Sequence, residues 1–318
     1  MKKIILFILL IGLLFLTGKG WWEGQFSAVS SDKKETVFVV DKGAGIPQIA
    51  DDLKKAGLIK SPFAFKFYTK QQNLDAKIQP GTFKLSPSMS VSTIATTLTN
   101  EPLDNWVTLL EGWRVEEMAE VLSEKFKVQS AKFIKASKEG YMFPDTYLFS
   151  QDVSVEQIVK RLRDNFEEKY SDDLRAKIKK LGLTENEGVI LASIVEREAR
   201  SDKVRTEVAS ILLKRFKIGM GLNADATVQY AIGYQKDEDS WWKRHLTKND
   251  LQVKSPYNTY IHSGLPPTPI CNPSLSSLKA VTNADPSTPY LYYYHDSEGN
   301  SYYGKTLEEH NENVANHP

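Results

Sequence analysis

Four times along its first half the chain repeats one apolar spacing: Ile46-x-x-Ile49-Ala50-x-x-Leu53, Val91-x-x-Ile94-Ala95-x-x-Leu98, Val115-x-x-Met118-Ala119-x-x-Leu122 and Val155-x-x-Ile158-Val159-x-x-Leu162. This i, i+3, i+4, i+7 stripe is the apolar face of an amphipathic helix. Each stripe follows a β-rich run, VFVV (37–40), TFKL (82–85), WVTLL (106–110) or TYLF (146–149), and Ser90 and Ser154 stand where N-caps belong. The pattern predicts an α+β fold made of strand–loop–helix units. Intervals of 45, 24 and 40 residues between stripes exclude a solenoid of fixed period. Such stripes arise in any α+β domain, and they also suit small carbohydrate- or peptide-binding modules placed ahead of a catalytic domain.

The rest of the chain divides by composition. Residues 23–35, with SAVSSDKKE, read as a polar linker, 36–105 as a small α+β module, 106–150 as a connecting unit, and 151–318 as a mixed α/β catalytic domain. In that last part a helical pair runs to Gly182, a C′ residue, and the next helix starts after LTENE with Thr184 and Glu187 as a capping box. Beyond residue 201, aromatics, Pro and Asn accumulate, which predicts a loop-built cleft.

At the N-terminus Lys2 and Lys3 precede Ile4–Leu16, apolar apart from Gly12, and Lys19, Trp21 and Trp22 follow. The uninterrupted run is shorter than the ~20 residues of a full span. No small-x-small cleavage site follows it, and Lys19 can snorkel while the tryptophans sit at headgroup level. Residues 1–22 are therefore expected to be an uncleaved single-pass anchor in the cytoplasmic (inner) membrane, with the positive flank inside and the bulk of the chain outside.

Lys+Arg 41 against Asp+Glu 40 leaves +1, so no basic field exists to hold a nucleic acid. One cysteine, Cys271, rules out an internal disulfide or a CxxC motif, and the five histidines show no HExxH spacing, so no metal is expected. No GxSxG, P-loop or GxGxxG occurs, and no cofactor is expected. Ser276-x-x-Lys279 matches the nucleophile spacing of penicillin-binding enzymes but lacks an SDN or KTG companion.

The stretch EGVILASIVEREAR (187–200) carries the sharpest signal: an apolar helix in which Glu196 and Glu198 arrive just before the pattern ends. Periodicity does not choose between them, and carboxylates beside Arg197 and Arg200 also suit plain ion pairs. The small Ala192 and Ser193 below Glu196 favour it, because they leave room for a substrate groove, whereas Ile190, Leu191 and Ile194 fill the face below Glu198. In a half-dry groove desolvation disfavours the anion, the property a general acid needs to protonate a glycosidic oxygen.

ILASIVEREA, KIGMGLNADATVQYAIG, SPYNTYIHSGLPPTPICNPSLSSLKAV, PYLYYYH and EEHNENV, together with EGYMFPDTYLF (139–149), resemble the YceG-like (MltG) family of membrane-bound endolytic murein transglycosylases. The resemblance runs from the N-terminal anchor to the last residues. It implies a LysM-like module behind the anchor and a catalytic domain whose essential acid is Glu196. It places Asp225, Thr227, Tyr230, Tyr257, Asn258, Thr259 and Tyr260 at the substrate cleft. Asn223, Ala226, Thr268 and Ser301 depart from the family pattern. The implied activity is cleavage of the MurNAc–GlcNAc β-1,4 bond inside nascent peptidoglycan strands, leaving 1,6-anhydro-MurNAc ends and limiting strand length. Peptidoglycan synthases are the implied protein partners. A hydrolytic muramidase, with Asp225 activating water, and a non-catalytic wall-binding scaffold are the rival readings.

Overall fold

The computed structural model describes residues 18–100, 102–199 and 201–317. The chain forms two compact units. The first holds the described residues up to Val107 and, from later in the chain, Tyr147–Asp152; the second holds Thr108–Thr146 and Val153 onward.

All four predicted strand–helix pairs form. In the first unit β1 (Thr36–Val40), β2 (Gly81–Leu85), β3 (Asp104–Thr108) and β4 (Thr146–Ser150) make one sheet in the order β1-β2-β3-β4. β1 and β2 run antiparallel, from Thr36 opposite Leu85 to Val40 opposite Gly81. Helices α1 (Ile46–Lys55), α2 (Pro62–Gln71) and α3 (Val91–Thr97) complete the unit. Alternation in β1 turns Phe38 and Val40 inward, where they meet Ile49, Ala50 and Leu53 of the first stripe and Ile94, Ala95 and Leu98 of the second. Ser90 caps α3 by accepting from Thr93 N at 3.2 Å. The helix α2 carries no such stripe and was not foreseen.

The first seventeen residues, and with them the apolar run of the expected anchor, lie outside the described residues. Residues 18–24 are helical. Among the described residues no helix is long and apolar enough to cross a membrane.

In the second unit the third and fourth stripes become α4 (Val115–Lys125) and, after α5 (Ser130–Ala136), α6 (Val155–Lys169). α7 (Asp172–Lys180) is ended by Gly182 at φ +76°, a conformation that costs a glycine little. Then comes α8 (Glu185–Glu198), whose Thr184–Glu187 capping box forms as read from the sequence. Every residue from Gly188 to Val195 is buried. α9 (Asp202–Lys217), α10 (Asp225–Ile232) and α11 (Leu275–Thr282) pack on α8, and the hairpin β5 (Tyr292–His295)–β6 (Ser301–Gly304) and α12 (Leu307–Asn316) close the chain. A helix whose middle is apolar on every side belongs in the core of its domain, and its polar first and last turns reach the surface.

Candidate active site

Two carboxylates leave that last turn. Ala192 and Ser193, the small residues expected to border a groove below Glu196, are fully buried. The segment 270–274 fills the space they leave: Ile270 N donates to Ser193 Oγ at 3.0 Å and Cys271 Sγ to Ser193 O at 3.2 Å. The open-face expectation is thus corrected: small side chains here admit a loop of the protein's own backbone. That loop ends at Ser274, the N-cap of α11, and it is Ser274 that reaches the acid.

Glu196 Oε2 accepts from Ser274 N at 2.8 Å and from Ser274 Oγ at 2.5 Å, while Oε1 accepts from Arg205 Nη2 at 3.1 Å. The side chains of Glu196 and Arg205 are only 5% and 12% exposed, so this ion pair is shielded from water. Arg205 Nη1 donates in turn to Ser276 Oγ at 3.2 Å and Asp202 Oδ1 at 3.4 Å. The N-terminus of α11 adds its positive end to the arginine on the same carboxylate. Glu196 nevertheless borders a cavity of about 860 Å³, shared with Arg197, Glu198, Arg244, His245 and His295.

A loop from early in the unit closes the other side. Gly112 N donates to Asn272 O at 3.0 Å and Asn272 N to Trp113 O at 2.9 Å, while Asn272 Nδ2 donates to Glu139 Oε1 at 2.9 Å. Gly112, at φ +74°, puts its Cα face against Glu196 and Arg197. Its neighbour Glu111 has its carboxyl pushed up by burial first and by the charge of Glu196 second. Glu139 is pushed up to about 8, by burial first and by the charge of Glu116 second.

Glu198 meets different company. Tyr293 Oη donates to its Oε2 at 3.1 Å, and Ala226 N reaches Oε1 only at 3.5 Å. Its carboxyl is pushed up to about 7, by desolvation first and by the charge of Asp225 second. It lines the 860 Å³ cavity and also a second one of about 420 Å³, with Arg215, Asn223, Asp225, Tyr260 and Tyr293. Both volumes lie in the range of small-molecule sites.

The other sequence-named residues separate into three places. Asp225 and Tyr260 share the second cavity, joined by Tyr260 Oη donating to Asp225 Oδ1 at 2.6 Å. Thr227, Asn258 and Thr259 are buried staples: Thr227 Oγ1 lies 2.9 Å from Thr259 Oγ1, and Asn258 Nδ2 donates to the carbonyls of Leu251 and Val253. Tyr230 and Tyr257 pack with their rings tilted at 49° and centroids 4.7 Å apart, and the Arg114 guanidinium lies 4.1 Å above Tyr230. Arg205 and Ser274 were not singled out from the sequence, and Tyr293 entered only as one of the tyrosines of the PYLYYYH segment.

Residues 38–316 match the YceG-like family. The chain belongs to that family. An endolytic murein transglycosylase of Bacillus subtilis (strain 168) is 33% identical over 95% of this chain and 89% of that protein. One from Streptococcus pneumoniae serotype 2 (strain D39 / NCTC 7466) is 26% identical over 97% of this chain and 64% of its own length. The crystal structure of a YceG-like protein from Listeria monocytogenes superposes with a TM-score of 0.62 at 28% identity, covering 88% of this chain and 99% of that one. This YceG-like chain therefore shares fold as well as sequence with its relatives, and the segments that build the carboxylate site lie inside the matched region.

Proposed function

We propose that this chain is an endolytic murein transglycosylase, a lyase that cuts peptidoglycan glycan strands from within, with Glu196 as its acid–base group. The observation that carries the assignment of residue is the placement of Glu196: a carboxylate held at both oxygens, by Arg205 and by Ser274, on the edge of an 860 Å³ cavity.

In this reading Glu196 donates a proton to the oxygen bridging MurNAc C1 and GlcNAc C4. The C1–O bond breaks, and positive charge at C1 develops facing the resulting carboxylate. Glu196 then takes the proton of the MurNAc C6 hydroxyl as O6 bonds to C1, closing the 1,6-anhydro ring. Atoms balance without water, and the nucleophile belongs to the substrate, an intramolecular advantage. Arg205 and Ser274 fix the position of the Glu196 side chain, a carboxyl before the first step and a carboxylate before the second. Asp225 and Tyr260, in the adjoining cavity, bind sugar hydroxyl and acetamido groups; Thr227, Asn258 and Thr259 serve by holding the loops, and Tyr230 and Tyr257 by forming an aromatic wall.

A second assignment has its own support: Glu198, pushed up to about 7 and lining the same cavity, as the proton donor, with Glu196 stabilising the cationic centre. Digestion of purified murein by Glu196→Gln and Glu198→Gln separates the two, and mass spectrometry of the glycan ends separates lyase from muramidase. Anhydro ends, one water lighter than reducing ends, support the transglycosylase. Reducing ends from the parent overturn it, and unchanged turnover in Glu196→Gln overturns the residue.

The β1–α1–α2–β2 order of the first unit, with a hollow of about 390 Å³ between Asp41–Ile46 and Asp75–Pro80, supports a LysM-like glycan-binding module at 36–105. Residues 1–22 are read as a single-pass anchor in the inner membrane that leaves the catalytic domain outside the cytoplasm. Cutting nascent strands there limits their length, and peptidoglycan synthases are the expected neighbours.

A further inference from the structure

The first unit carries a cluster of aromatic rings at its surface, in which Phe26 also packs against the core while Trp21, Phe63 and Phe67 stand exposed. Trp22 is its centre, with ring centroids 5.0 Å from Phe26, 5.7 Å from Phe63 and 5.6 Å from Phe67. Trp21, Phe63 and Phe67 are 68%, 62% and 44% exposed. The two phenylalanines sit at i and i+4 on α2, whose opposite face already buries Ala64, Phe65 and Thr69 in the core. Lys66 and Lys70 follow them at i+3, and Lys60 reaches across to Ser27 Oγ at 2.7 Å. Large rings clustered on a surface and edged by lysines mark an interaction face.

Chain geometry names the partner. Trp21 is five residue steps beyond Leu16, the end of the apolar run, and an extended chain spans at most ~3.6 Å per step. Trp21 therefore lies within ~18 Å of the end of that run whatever the path between them. If the run crosses a bilayer, the aromatic patch is confined to the headgroup layer or just above it. Trp with Lys is the composition that settles at that depth, since the rings leave water while the ammonium groups meet lipid phosphate.

We propose that the Trp21–Trp22–Phe26–Phe63–Phe67 face rests in the headgroup layer of the membrane, so that the first unit lies on the bilayer instead of swinging on its tether. This rests on the reading of residues 1–22 as an anchor, and extends it to a second, non-spanning contact. A glycan strand gripped by that unit would be one close to the membrane.

The test uses the full chain in phosphatidylcholine/phosphatidylglycerol vesicles. An environment-sensitive fluorophore is placed at Phe63→Cys or Phe67→Cys, or at Lys77→Cys, an exposed position outside the patch; the native Cys271 is fully buried. Circular dichroism checks that each variant folds. Quenching by spin-labelled lipid several-fold stronger at the two patch sites than at Lys77, with a blue-shifted emission, is the expected result. Chain that floats with carbonate-washed vesicles but shows equal quenching at all three sites overturns the patch and leaves the anchor standing. A blue shift without lipid quenching means that protein covers the rings, a second copy or the chain's own apolar run, and overturns the patch as well. Failure to float overturns anchor and patch together; murein digestion is measured separately and tests neither.

Discussion

Glu196 and Glu198 leave one helix two residues apart, about 200° around its axis, and meet unlike surroundings. Around Glu196 stand a guanidinium, a backbone amide and a hydroxyl, all within 3.1 Å. Around Glu198 stand one phenol at 3.1 Å, an amide at 3.5 Å and the repelling charge of Asp225. Identical side chains are thereby made different: one is gripped at both oxygens, the other is desolvated and carries its proton up to about pH 7. Divergence of this kind is how a protein divides acid and base duties between like groups.

The contrast breaks first at Glu196→Gln, which keeps the shape and removes the transferable proton. Murein digestion is expected to fall by at least ~10²-fold, the usual scale of a lost acid–base group, measured by release of anhydro ends. An equal fall in Glu198→Gln with Glu196→Gln still active would exchange the two roles. Arg205→Met comes next. It leaves a carboxylate shielded from water without its cation, a loss of about 3–5 kcal/mol readable as a lower denaturant midpoint.

Glu198→Gln sharpens the comparison through pH. A carboxyl whose folded pKa is raised from 4.5 to about 7 adds stability that is complete below 4.5 and is lost as pH rises through 7. The parent should therefore lose up to about 3 kcal/mol more than Glu198→Gln between pH 5 and 8, seen as a steeper fall in Tm. A parallel pH dependence in the two proteins would show that Glu198 does not titrate there. Smallest is Ser274→Ala, which removes the cap of α11 and one of the three hydrogen bonds to Glu196. About 1 kcal/mol of stability is at stake, with a several-fold drop in kcat and little change in KM, because the group it positions acts in the chemical step.

Local features were the legible ones. The four stripes, the serine caps at Ser90 and Ser154, the Thr184–Glu187 box and Gly182 all take the places their spacing implied, because each depends on residues within a turn or two of one another. Ala192 and Ser193 misled for the complementary reason: small side chains announce a close approach without saying what approaches, and here it is the backbone from Ile270 onward. Thr227, Asn258 and Thr259 look like hydrogen-bonding groups for a sugar, and their hydrogen bonds are spent on neighbouring loops.

The sequence by itself determined the alternation of strand and helix, the buried character of α8, the presence of two carboxylates at its end and the family to which the chain belongs. Only the tertiary structure decided what each carboxylate faces. Ser274 reaches Glu196 across 78 positions and Tyr293 reaches Glu198 across 95, and no periodicity spans such distances. Patterns in a chain report on neighbours along it, whereas the field at a carboxyl is set by whatever folding brings within a few ångströms.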